Sequence, residues 1–141
     1  AEYIATKLYK TITSNNSHQK NILNNNIISK TIRLPIQMKD NGYVSNDLEI
    51  TLWLWDKICF IFMSAEVLSG YNFNKINNIN IINVGYSNGM LGYLPTKNDI
   101  IDGGYEVDKS RPPFGINNRI DESVEKIIKN SIKETINSLL N

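Results

Sequence analysis

The chain is poor in the residues that most often mark a chemistry. It has one cysteine, Cys59, so no disulfide can close within it. Cys59 sits in an apolar run, where a buried, inert thiol is expected rather than a nucleophile. It has one histidine, His18, and a lone histidine cannot build a histidine-based zinc site. His18 falls in the polar, asparagine-rich residues 14–26, which read as an exposed loop. No apolar stretch approaches the ~20 residues needed to cross a bilayer, so no transmembrane segment is expected. The start carries no signal-peptide pattern. A formal net charge of +1 supplies no field that would call for nucleic acid. There is no P-loop, no dinucleotide fingerprint, no CxxC pair and no internal repeat.

What remains is an ordinary single-domain length of 141 residues. Asparagine takes roughly one position in seven, well above usual usage, a bias that fits genome composition better than function. The first residue is Ala1 rather than methionine, and helical pattern begins at once, as expected of a chain produced by a cut. Ile4, Leu8 and Ile12 recur at four-residue steps, with Ala1 and Ala5 beside them, and predict an amphipathic first helix.

Residues 27–38 alternate well enough to predict a strand, with Pro35 placing it at a sheet edge. Asp40-Asn41-Gly42 marks a turn. Residues 48–55 alternate cleanly, with Leu48, Ile50, Leu52 and Leu54 against Glu49, Thr51, Trp53 and Trp55. Asp56-Lys57 then turns the chain into residues 58–63, apolar on both faces, which predicts a central strand covered on both sides. The two runs predict a hairpin.

Glu66 is the first ionisable residue after that run, and two readings apply to it. At the rim of a sheet it is a site candidate. Alternatively, Ser64 caps a helix over residues 67–76, interrupted by Gly70, and Glu66 serves its first turn. Residues 79–84 predict another strand. It delivers the chain into residues 85–106, GYSNGMLGYLPTKNDIIDGGYE, around which the rest is arranged. Glycines 85, 89, 92, 103 and 104 stand there among Tyr86, Tyr93 and Tyr105. Clustered glycine needs a reason such as positive φ or close approach, and tyrosine offers a rigid ring with a polar tip. The expectation is a tightly folded loop presenting phenols, against the plainer alternative of a strand leaving the core through ordinary turns.

Thr96 is placed to cap a short helix over residues 97–101, ended by Gly103-Gly104, which returns Tyr105 toward Tyr93. Residues 110–118 read as a rigid surface loop. Asp121 is placed to cap a long helix running to Leu140, with Val124, Ile127, Ile128, Ile132, Ile136 and Leu139 as its apolar stripe. The expected architecture is α/β: a mixed sheet of about four or five strands, with the first and last helices packed on it.

The order of these features is familiar. An apolar strand, Glu66 in SAEV, then NGMLGYLPT, a short helix and GGYEV resemble the C-terminal third of the catalytic domain of neutral/alkaline (non-lysosomal) ceramidases. The likeness is clearest over residues 48–107 and looser on both flanks. It implies that the chain is the C-terminal portion of a larger ceramidase-like domain. It implies zinc as the cofactor, with Glu66 matching a glutamate ligand and Tyr93, in GYLPT, a tyrosine ligand. Tyr105, in GGYE, matches a second tyrosine that hydrogen-bonds at the reaction centre. Two histidine ligands would come from an upstream portion or a partner chain, so this chain alone is expected to be inactive. The implied reaction is hydrolysis of the amide of a ceramide-like lipid to sphingosine and a fatty acid. A secreted or membrane-surface location would suit that substrate. Relative to the family, the segment between Glu66 and Tyr93 is short. Two alternatives stand beside this reading: a non-catalytic interaction domain that kept the fold and uses its Trp53/Trp55 face, and a hydrolase of another lipid amide or ester.

Overall fold

The computed structural model describes residues 26–73 and 75–141. The predicted first helix and the His18 loop lie outside the described residues. Among those described, β1 (Ile27–Leu34), β2 (Leu48–Trp55), β3 (Ile58–Met63), β5 (Lys75–Ile76) and β6 (Ile79–Val84) form one mixed sheet in the order β1-β2-β3-β6-β5. β4 (Glu66–Val67) and β7 (Tyr93–Leu94) form a second, two-stranded parallel pair.

The sheet follows the sequence pattern closely. β1, with Pro35 just beyond its end, is the edge strand. It pairs antiparallel with β2, from Ile27 opposite Trp55 to Leu34 opposite Leu48. β2 and β3 form the predicted hairpin, and Asp56 takes the left-handed backbone conformation that closes it (φ 52°). β3 then pairs parallel with β6, so the sheet is mixed at its centre.

Alternation divides the sheet into two unlike faces. Leu48, Ile50, Leu52, Leu54, Cys59, Ile61 and Met63 point to one side and are buried. That side receives α2 (Val124–Leu140) through Val124, Ile128, Ile132 and Ile136, all in the same apolar core. Lys30 Nζ, on β1, donates to Ser138 Oγ of α2 at 3.0 Å at the exposed edge of this contact. On the other side stand Ile27, Trp53, Trp55, Phe60 and Phe62, lining an apolar cleft of about 240 Å³. The prediction that β3 is covered on both sides is therefore corrected among the described residues. Ile58, Phe60 and Phe62 are only half buried, because nothing described there plays the part that α2 plays opposite.

The long helix starts two residues later than predicted, at Val124, with Ser123 rather than Asp121 at the cap position. Asp121 still prepares its start, since its Oδ1 accepts from the Ser123 N–H at 2.9 Å and its carbonyl from the Val124 N–H at 3.1 Å. Cys59 is fully buried, as expected of an inert thiol, and burial pushes its thiol up to about 11.

The helix predicted over residues 67–76 does not form. The chain runs extended through Glu66 and Val67 and then makes a tight turn, with the Tyr71 N–H donating to the Leu68 carbonyl at 3.0 Å. Packing decides this. A Cβ at Gly70 would stand 2.6 Å from Thr96 Cγ2, so the turn exists to let Thr96 approach. Tyr71 is buried behind it and donates its hydroxyl to the Pro95 carbonyl at 3.1 Å. A large buried ring with a satisfied polar tip outweighs the weak helical preference of a short segment.

Candidate functional site

Glu66 leaves the buried centre of the molecule just beyond β3, and its local setting is built from backbone bonds. The Ser64 N–H donates to the Glu49 carbonyl (3.0 Å), and Ser64 Oγ accepts from the Glu49 N–H (2.9 Å). Ser64 therefore anchors β2 rather than capping a helix. The Glu66 N–H donates to the Gly92 carbonyl (2.9 Å) and the Leu91 N–H to the Ser64 carbonyl (2.7 Å). This ladder brings Glu66 and Tyr93 directly opposite each other, in register, on adjacent strands. Neighbours across a strand pair have side chains within reach of one another.

Glycine is needed here for a specific reason. Gly92 has φ 121°, and a Cβ on it would stand 3.2 Å from the Phe114 ring and 3.3 Å from Ile116 Cδ1. Only glycine lets β7 pass this close to the wall behind it. Gly85 does the same service on the other flank, where a Cβ would come within 3.1 Å of the Ala65 carbonyl oxygen.

Tyr105 is returned to Tyr93 by the predicted route. α1 (Lys97–Asp102) is capped by Thr96 in a full capping box with Asp99, and its backbone breaks at Gly103 (φ 72°) and Gly104 (φ 117°). A single π-helical turn, Tyr105–Lys109, follows. Such turns occur disproportionately at functional sites. The turn is pinned from outside by Arg119. Its Nε and Nη2 donate to the two oxygens of Asp108 at 2.6 and 2.8 Å, while the Gly104 N–H donates to Asp108 Oδ2 at 3.1 Å. The Arg119 guanidinium and that amide hold the Asp108 carboxyl below its ordinary value. As a result the Tyr105 and Tyr93 rings meet edge to face, 6.2 Å apart at 80°.

A third phenol joins them. The neighbouring Glu66 carboxylate pushes the Tyr86 phenol up to about 12, with burial adding less. Tyr93 is also raised, by burial first and then by the neighbouring Glu66 carboxylate. Both shifts keep the phenols protonated at neutral pH. Tyr86 belonged to the tyrosine cluster seen in the sequence, but no role was assigned to it. The signal for it is GYSNG, a turn-rich stretch that forces its tyrosine out of regular structure. Tyr86 indeed sits at φ 56°. A bulky residue there is a true outlier, and such positions cost on the order of 1–3 kcal/mol.

The sequence-nominated residues Glu66, Tyr93 and Tyr105 thus lie together at one rim of the molecule. A nearby polar cleft of about 470 Å³ shares Ser64 and the Asn88–Leu91 turn with this rim, but neither Glu66 nor the phenols line it. A separate void of only about 10 Å³ lies beside Tyr93, lined by Glu106, Arg111 and Phe114 among others. A carboxylate and a phenol are hard oxygen donors that zinc accepts, and two such donors fill half of its usual four-coordinate shell. Among the described residues, no three histidine, cysteine, aspartate or glutamate side chains converge on one point. Glu66 and Tyr93 are thus two oxygen donors of a kind zinc accepts, short of the four it usually takes. Also among the described residues, no helix is long and apolar enough to cross a membrane. No family model matches the chain, and no curated protein or solved structure is similar to it.

Proposed function

We propose that this chain supplies the glutamate–tyrosine half of a zinc-dependent hydrolase that cleaves the amide of a ceramide-like lipid. The observation that carries this reading is the pairing of Glu66 with Tyr93 across β4 and β7, with the Tyr105 ring against Tyr93. Glu66 and Tyr93 would hold the metal, with two histidines supplied by an upstream portion or a partner chain. Zinc, when bound, lowers the pKa of water to about 7 and polarises a carbonyl. Tyr105 is 59% exposed, so its hydroxyl is free to donate to the oxygen of a substrate amide as negative charge builds on it. A preorganised donor of this kind contributes about 10²–10³ in rate. The Tyr93 ring meets the Tyr105 ring edge to face.

The test joins this chain to the sequence preceding it in its gene and measures release of a fluorescent fatty acid from labelled ceramide. Turnover should vanish with a zinc chelator and with Glu66→Ala, and Tyr105→Phe should lower kcat about 100-fold or more. Turnover that survives chelation, or full activity in Glu66→Ala, overturns the reading. Labelled esters and other N-acyl amides, run in parallel, separate a ceramidase from a hydrolase of another lipid amide or ester. The half-open aromatic face around Trp53 favours one competing reading, a non-catalytic interaction domain that retains the fold. Under it, Glu66→Ala changes nothing and Trp53→Ser abolishes association with the partner.

A further inference from the structure

Among the described residues, the sheet has one face covered and one open, and the open face is built like a docking surface. Ile27, Trp53, Trp55, Phe60 and Phe62 line its cleft of about 240 Å³, and none of them carries a charge. The rings are already arranged: Trp53 meets Phe62 edge-on at 4.8 Å, and Phe60 stacks with Phe62 at 6.2 Å. Trp53 is nonetheless 45% exposed and Ile27 54%, while Trp55 already has a partner. Contiguous apolar surface of this kind marks an interaction site. The opposite face shows what covers such a surface in this protein. There α2 packs through Val124, Ile128, Ile132 and Ile136, spaced at four-residue steps.

We propose that the occupant of the open face is this chain's own residues 1–13, folded as an amphipathic helix laid across Trp53. Three observations favour this segment over a foreign partner. Its sequence repeats the pattern of α2: Ile4, Leu8 and Ile12 stand at four-residue steps, flanked by Ala1 and Ala5, with Thr6 and Lys10 on the far side of the wheel. Its place in the chain is right. β1 opens at Ile27, which belongs to the wall of the cleft and pairs with Trp55, so the preceding residues leave from the cleft itself. Residues 14–26 can extend to about 40 Å, enough to bring a helix back over the face. Its length also fits, since residues 1–13 as a helix span about 20 Å, against about 27 Å for the eight residues of β2. Tethering by a short linker presents the segment at an effective concentration on the order of millimolar, which favours it over a free competitor. A helix this short is marginal alone and gains its stability from a packed apolar face. Segment and cleft thus each supply what the other needs. This placement does not rest on the function proposed above, and it withdraws the Trp53 face from the interaction-domain reading.

The test uses the full 141-residue chain. Trp53 and Trp55 are its two tryptophans, so indole fluorescence reports on this face alone. Leu8→Asp should move the emission to longer wavelength and raise its quenching by iodide. Lys10→Asp, on the far side of the same helix, should do neither. In the wild type with labelled methyl groups, nuclear Overhauser contacts should join the Trp53 ring to the Leu8 and Ile12 methyls and persist on dilution. Absence of those contacts overturns the inference, as does emission that Leu8→Asp leaves unmoved. Contacts found only between differently labelled copies overturn it too, and assign the face to a second copy of the chain. The wild-type contacts decide the question even where Leu8→Asp does not fold.

Discussion

Two parts of this molecule are held together by different physics. Between the sheet and α2, apolar side chains do the work: Leu48, Ile50, Leu52, Ile61, Met63, Ile128, Ile132 and Ile136 are all fully buried. Between Ser64 and Lys109 the holding is directional. There it consists of backbone bonds between non-adjacent segments, glycines where a Cβ would collide, a capping box and one bidentate ion pair. Burial is non-directional and scales with area, so the first part should tolerate apolar side chains of similar volume. The second depends on exact backbone paths and should tolerate few changes at its special positions, yet lose less free energy at each.

The largest effect should therefore come from the core. Ile132→Ala should cost about 2–5 kcal/mol in urea unfolding, and Ile132→Val only about 0.5–1.5. An Ile132→Ala variant as stable as the wild type would mean that α2 is not docked on the sheet as described.

Gly92→Ala should come next. The added Cβ meets the Phe114 ring at 3.2 Å with φ at 121°, a conformation alanine cannot adopt without strain, and the cost should exceed about 1 kcal/mol. The comparison is sharpened by where the damage falls. Gly92→Ala should pull β7 from β4 and alter the Glu66 and Tyr93 resonances, while Ile132→Ala leaves them in place at temperatures where it is still folded.

This contrast also explains what could be read from the sequence. The sheet was legible because alternation reports burial directly. β2, β3, their hairpin and the edge position of β1 follow from period two and from Pro35. The final helix follows from its apolar stripe, and α1 from Thr96, whose capping signature is local. What failed was the segment after Glu66. Leu68, Gly70 and Tyr71 carry no local sign that Thr96 will press against Gly70 or that Pro95 will accept the Tyr71 hydroxyl. Those contacts join residues about 25 apart, and only the folded packing supplies them. The candidate site was legible in its members and not in its wiring. Glu66, Tyr93 and Tyr105 could be nominated, but the register that pairs the first two and the turn that adds Tyr86 depend on hydrogen bonds between segments. The covering of β3 was misjudged for the converse reason. A strand apolar on both faces shows what it is able to bury, not what is present to bury it.

Thr96→Ala should cost about 1 kcal/mol, the usual worth of an N-cap. Thr96 Oγ1 accepts from the Asp99 N–H at 3.3 Å, and the Asp99 carboxylate accepts from the Thr96 N–H at 2.7 Å. Thr96→Ser keeps the hydroxyl and should recover most of the loss. Equal destabilisation by alanine and serine would assign the effect to the methyl group packed on Gly70 rather than to the cap.

The smallest effect belongs to the Asp108–Arg119 pair, and pH isolates it. Both side chains are about one-third exposed, so solvent screens much of the attraction. The Arg119 hydrogen bonds, followed by the Gly104 amide, lower the Asp108 carboxyl below its ordinary 3.8 in the folded protein. In the unfolded chain the same group titrates near the ordinary value. The folded state therefore gains from the ionised carboxylate above about pH 4, and the gain drains away as pH falls through the lower folded value. Melting temperatures of wild type and Asp108→Asn should differ most near neutral pH and converge as pH drops from about 4 toward 2. The wild type keeps an acid limb in either case, because Asp40, Asp121 and Glu125 are lowered as well. Parallel curves for the two proteins across that window would show that Arg119 does not hold Asp108 in solution. The π-helical turn carrying Tyr105 would then need some other anchor.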